Sequence, residues 1–138
     1  FVAIGLSIMN RIAPEEITYH KIGHSLEIAW PDARFDLPAE LLRVYSPSAE
    51  VRGHSEKERV LQTGKKNVGI KAIEAIGNYA IRITFDDGHD SGIYAWDYLY
   101  ELGKNHTEYW QNYLSELKQA NASRLPTIPV GQWQPSKP

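Results

Sequence analysis

A chain of 138 residues with 42% hydrophobic content fits one compact domain. Its formal net charge of −2 leaves no basic excess for neutralising phosphates, so nucleic acid is not an expected partner. The absence of cysteine excludes disulfides, thiolate metal sites and cysteine nucleophiles, and is compatible with a cytoplasmic setting. The apolar opening Phe1–Met9 is too short to span a bilayer, and no membrane partner is expected. Residues 1–14 read as a flexible leader ending at Pro14.

Period-two alternation opens the patterned region. Ile17 and Tyr19 alternate with polar neighbours; after a turn at Gly23, Leu26, Ile28 and Trp30 alternate with Ser25, Glu27 and Ala29. Pro31-Asp32 turns the chain, and Phe35 and Leu37 resume an apolar face. Pro38 suits the first position of a short helix from Ala39 to Val44, where its missing N–H has no intrahelical partner to lose. Residues 45–66 are irregular and charged. They read as one long surface loop with a short strand near Val60-Leu61, and loops of that length are often functional.

A β-hairpin follows, in which Val68–Ile76 is joined through Gly77-Asn78 to Tyr79, Ile81, Ile83 and Phe85. A slip in alternation around Ala72-Ile73 predicts a bulge. Asp87-Gly88 makes a second tight turn, and Ser91–Tyr94 returns as a strand. Trp96, Leu99 and Tyr100 share one helical face that ends at Gly103. Asn105-His106-Thr107-Glu108 has capping-box spacing ahead of a helix carrying Tyr109, Trp110, Tyr113, Leu114 and Leu117 on one stripe. Together these predict an α+β domain over residues 15–120: a small, mostly antiparallel β-sheet with hairpins, one short helix in the middle and two C-terminal helices. Residues 121–138, with Pro126, Pro129, Pro135 and Pro138, read as an extended or disordered tail.

Two stretches, Leu41–His54 and Gly88–Gly103, carry a resemblance. Leu42-Arg43 followed by Tyr45-Ser46-Pro47-Ser48-Ala49-Glu50-Val51, with Asp87-Gly88-His89 and Trp96 downstream, is similar to the N-terminal domain of gamma-butyrobetaine hydroxylase and its relatives. The match is nearest to stand-alone bacterial members, the DUF971 proteins. In that family Cys-x-Cys-x-x-Cys after Leu-Arg, with a distant histidine after Asp-Gly, forms a closed zinc site. Here the three cysteine positions are Ser46, Ser48 and Val51, while His89 stands at the histidine position. Serine hydroxyls stay protonated at neutral pH and valine offers no ligand, so the expectation is a vestigial site without an ion. The resemblance implies an accessory role, because the hydroxylase's iron lies in a separate barrel that is not part of these residues. The module also occurs fused to P-loop ATPases of iron–sulfur cluster assembly, again without carrying the chemistry.

Several constellations compete for function. One alternative is a metal-binding domain for zinc or iron, using His89 with His54 and the carboxylates of Asp86 or Asp90, linked to iron–sulfur assembly. His54-Ser55-Glu56 has facial-triad spacing, with His89 or His106 as a third iron ligand, but lies among ordinary surface charges. Asp86, Asp87, His89 and Asp90 cluster at a turn, where an Asp can orient an imidazole; the same residues are what a tight turn selects. The favoured reading is a non-enzymatic interaction domain with no catalytic residue and no cofactor. It would dock an unidentified protein partner or a second copy through Tyr45, Arg52, His54, Tyr94, Trp96 and Tyr98.

Overall fold

A computed structural model describes residues 12–53 and 59–126 of the chain. Among the described residues, two three-stranded antiparallel meanders and four helices form the α+β domain expected, its strands divided between two small sheets. The first comprises β1 (Glu16–His20), β2 (Ser25–Trp30) and β3 (Ala33–Pro38). Ile17 lies opposite Ile28, and Tyr19 opposite Leu26. On β2 the alternation sends Leu26, Ile28 and Trp30 into the core. Helix α1 (Ala39–Val44) follows directly, and all six of its residues are buried, Glu40 and Arg43 included. Pro38 is not the first helical residue: it pairs with Ser25 in the sheet and precedes the helix in extended conformation, φ −61° and ψ 141°.

Part of the region expected as one surface loop is helical or buried. Helix α2 (Ala49–Arg52) interrupts it, and Tyr45, Ser46, Ser48 and Val51 are buried. Val60-Leu61 forms no strand, although Val60 N–H donates to the Val51 carbonyl at 2.7 Å. The second sheet contains β4 (Ile70–Ile76), β5 (Ala80–Phe85) and β6 (Ile93–Ala95). The expected bulge is present, with the register slipping between Ile70 and Ala72. Gly77 turns the hairpin at φ +54°, a conformation other residues rarely adopt.

Helix α3 (Trp96–Lys104) and helix α4 (His106–Gln119) close the domain. Gly103 does not end α3 but lies inside it, where a Cβ would overlap the Phe35 ring of β3. The missing side chain therefore lets helix and sheet approach. The predicted capping box is also absent: Asn105 makes no cap bond to α4, and its side-chain amide donates back to the Glu101 carbonyl at 3.3 Å. Residues 121–126 continue in contact with the body. Gly64 N–H donates to the Ser123 carbonyl and Lys66 N–H to that of Arg124, each at 2.9 Å. Among the described residues, no helix is long and apolar enough to cross a membrane.

Candidate functional site

Helix α1 delivers the first part of the site. Beyond its end the chain runs through Ser46-Pro47-Ser48 into α2, and both hydroxyls turn inward. Ser48 stands at the position where serine usually caps a helix, yet its side chain makes no cap bond to α2. Its Oγ lies instead 3.4 Å from His89 Nε2, while Ser46 Oγ lies 2.8 Å from the same nitrogen. Ser48 N–H also donates to Ser46 Oγ at 3.3 Å. Residues 41 and 43 positions apart thus meet around one imidazole edge.

The β5–β6 turn places that imidazole. Gly88 adopts φ +95°, Phe85 N–H donates to the His89 carbonyl at 2.9 Å, and His89 N–H donates to Asp87 Oδ1 at 3.1 Å. Asp87 is held in turn by two cations on its other oxygen, Arg43 Nε at 2.8 Å and Lys65 Nζ at 2.5 Å. Burial would raise its pKa, but the Lys65, His89 N–H and Arg43 hydrogen bonds outweigh burial and hold it at about 2. Gly92 completes the packing: a Cβ there would come within 2.5 Å of Ser46 Oγ.

His89 is 7% exposed, and its Nδ1 faces Glu50 Oε2 at 3.4 Å. Burial, reinforced by the Arg43 charge, lowers its pKa against the opposing pull of Glu50 and Asp87. At neutral pH the ring is therefore neutral. A carboxylate only accepts, so Nδ1 carries the proton towards Glu50 and Nε2 accepts from Ser46.

Serine, imidazole and carboxylate in this order have the connectivity of an activated nucleophile. Ser46, however, is only 2% exposed, which denies a carbonyl substrate the approach that acyl transfer needs. Nor does the donor set match a closed zinc site, which requires deprotonated soft ligands: two hydroxyls and one imidazole surround this point, and Val51 contributes none. Among the described residues, no group of three or more His, Cys, Asp or Glu side chains is placed to hold a metal ion.

The other expected ligands do not gather here. Asp86 Oδ2 accepts from Gly69 N–H at 3.0 Å, and Asp90 is exposed. His106 sits at the α3–α4 junction with Nδ1 3.1 Å from the Gly103 carbonyl. His54 and Glu56 lie outside the described residues. The sequence reading missed Glu50, Arg43 and Lys65 as members of the cluster. A fully charged pair, Glu40 and Arg43, inside an otherwise apolar helical run was the available signal.

Three members of the expected docking surface belong to the core instead: Tyr94 is 0% exposed, Trp96 6% and Tyr45 9%. Their polar tips find carbonyls inside the fold, which removes the reason to keep them at the surface. Tyr94 OH donates to Leu42, Tyr45 OH to Tyr109 and Trp96 Nε1 to Asn78. Arg52 is exposed and Tyr98 half-buried, with the guanidinium 5.2 Å from the ring centroid. They border a hollow of about 340 Å³ shared with Ala95, Asp97 and Glu101.

No curated protein matches the chain. Among solved structures, a protein determined by solution NMR is 49% identical, with a TM-score of 0.74 over 86% of this chain and 94% of its own. A second NMR structure is 44% identical, with a TM-score of 0.73 over 92% of this chain and 96% of its own. A crystal structure from Acidithiobacillus ferrooxidans, of a DUF971-family protein of unknown function, is 34% identical. It covers 68% of this chain and 96% of its own, with a TM-score of 0.57. Residues 17–100 match the family described as gamma-butyrobetaine hydroxylase-like, N-terminal, and the chain belongs to that family.

Proposed function

We propose that this chain is a non-catalytic accessory domain acting through protein contacts in the cytoplasm, with a hydrogen-bonded serine–histidine cluster at the positions where the resemblance implies a zinc site. The observation that carries this reading is the engagement of His89 Nε2, the nitrogen free to bind an ion, by the Ser46 hydroxyl at 2.8 Å. A metal there would have to break that bond, desolvate two protonated hydroxyls and sit beside the Arg43 cation. The cluster instead ties the α1–α2 segment to the β5–β6 turn without an ion. Contacts with a protein partner or a second copy fall to the exposed Arg52 and the half-buried Tyr98 beside it.

Elemental analysis of untagged protein, with melting temperature recorded before and after strong chelation, tests the ion-free reading. The expected result is substoichiometric metal and an unchanged melting temperature. Stoichiometric metal with a chelator-induced fall would overturn it in favour of a zinc or iron domain built on His89.

A further inference from the structure

A hollow of about 340 Å³, lined by none of the His89 cluster residues, opens between α1 and α4. Pro38, Leu41 and Trp110 give it apolar walls, and Glu40 supplies a carboxylate that is 5% exposed. Arg124, from the segment following α4, reaches in. Its Nε and Nη2 each donate to one oxygen of Glu40 at 2.8 Å, and the guanidinium carbon lies 4.8 Å from the Trp110 ring centroid. A planar fork on a carboxylate with an aromatic face beside it is how proteins select arginine over lysine. The occupant is partly accessible: the Arg124 side chain is 34% exposed, while backbone hydrogen bonds at Leu117, Lys118, Gly64 and Lys66 join its segment to the body.

We propose that the Glu40–Trp110 hollow is a guanidinium-recognition site whose carboxylate is engaged in cis by Arg124, and that its partner is an arginine-bearing peptide segment of another protein that displaces residues 121–126. Glu40 fixes the ligand's charge, the two parallel hydrogen bonds fix its planarity, and Pro38, Leu41 and Trp110 suit apolar residues flanking the incoming arginine. The tethered Arg124 competes from within the same chain, so it sets a threshold that an isolated arginine does not cross and a longer segment does. This site stands apart from the Arg52–Tyr98 hollow, so either can fail without the other.

The test uses the full chain with Arg124→Ala, titrated with N-acetyl-arginine methylamide and its lysine counterpart, and followed by NMR at the Trp110 indole N–H. Saturable binding of the arginine compound is expected, about tenfold or more tighter than the lysine compound and than the same compound on the unaltered chain. Glu40→Gln in the Arg124→Ala background should abolish it. Should Arg124→Ala fail to fold, Arg124→Lys keeps a cation on Glu40 without the fork, and the arginine compound should still displace it. Equal response to both compounds, or equal affinity of variant and unaltered chain, would overturn the proposal. So would a concentration-dependent dimer of the unaltered chain that is lost in Arg124→Lys, which would assign the hollow to the arginine of a second copy.

Discussion

His89 shows how one side chain can be a structural element and a liability in acid. Burial and the Arg43 charge keep its ring neutral, so its pKa is lower folded than unfolded. Below the ordinary value of 6.5 the unfolded chain takes up a proton that the native chain refuses, and stability falls as pH falls. Above 6.5 this contribution is fully present. Asp87 adds a second loss further down, between its ordinary value of 3.8 and about 2, because protonation forfeits the Lys65, His89 and Arg43 contacts. Urea midpoints should be flat for the His89 contribution from pH 8 to 7 and decline below 6.5, at no more than ~1.4 kcal/mol per pH unit for this one proton. His89→Gln should remove that arm; an identical pH profile in the variant would refute the assignment.

At the level of elements, the contact between α3 and the first sheet rests on what Gly103 lacks. Phe35 occupies the volume a Cβ would need, and it also packs edge-on to Tyr100 and Trp30 at centroid distances of 5.2 and 6.2 Å. Helix propensity alone favours Gly103→Ala by ~1 kcal/mol. Overpacking against a ring that is itself wedged between two others opposes this by ~1–3 kcal/mol. A net loss of stability is therefore expected on thermal or chemical denaturation. A gain would mean that the Phe35 ring can move at little cost. The glycine was legible in the sequence only as a helix terminator, because the reason for it lies on a strand far away in the chain.

Across the whole molecule, the segments between the sheets are fastened by arginines. Arg59 Nη2 donates to the Val44 carbonyl at 2.9 Å, its guanidinium carbon lies 4.1 Å from the Tyr45 ring centroid, and Nη1 pairs with Glu116 of α4. One side chain thus joins α1, the Ser46 segment and α4. Arg59→Ala should cost ~1–3 kcal/mol, more than an exposed ion pair is worth, because stem packing and the carbonyl contact go with the charge. Arg59→Lys should recover only a minor part, since an ammonium cannot serve all three neighbours at once. Urea denaturation of the two variants checks both statements, and full recovery by lysine would reduce Arg59 to a simple charge.

Local pattern sufficed for the six strands, the helix Ala39–Val44, both C-terminal helices and the bulge. Period-two and period-3.6 alternation and tight-turn residues act over a few positions and do not need the rest of the chain. Ser46, Ser48 and His89 were also legible as residues that belong together. Only the tertiary structure decided what surrounds them: Glu50 at one imidazole nitrogen, and Arg43 with Lys65 on Asp87 beneath the turn. The same holds for the aromatic residues. Alternation could mark Tyr94, Trp96 and Tyr45 as large and amphipathic, but whether each polar tip meets water or a carbonyl depends on segments up to 64 residues away. That pairing is a property of the packed molecule, because burial of a polar group is favourable only when its partner arrives from elsewhere in the fold.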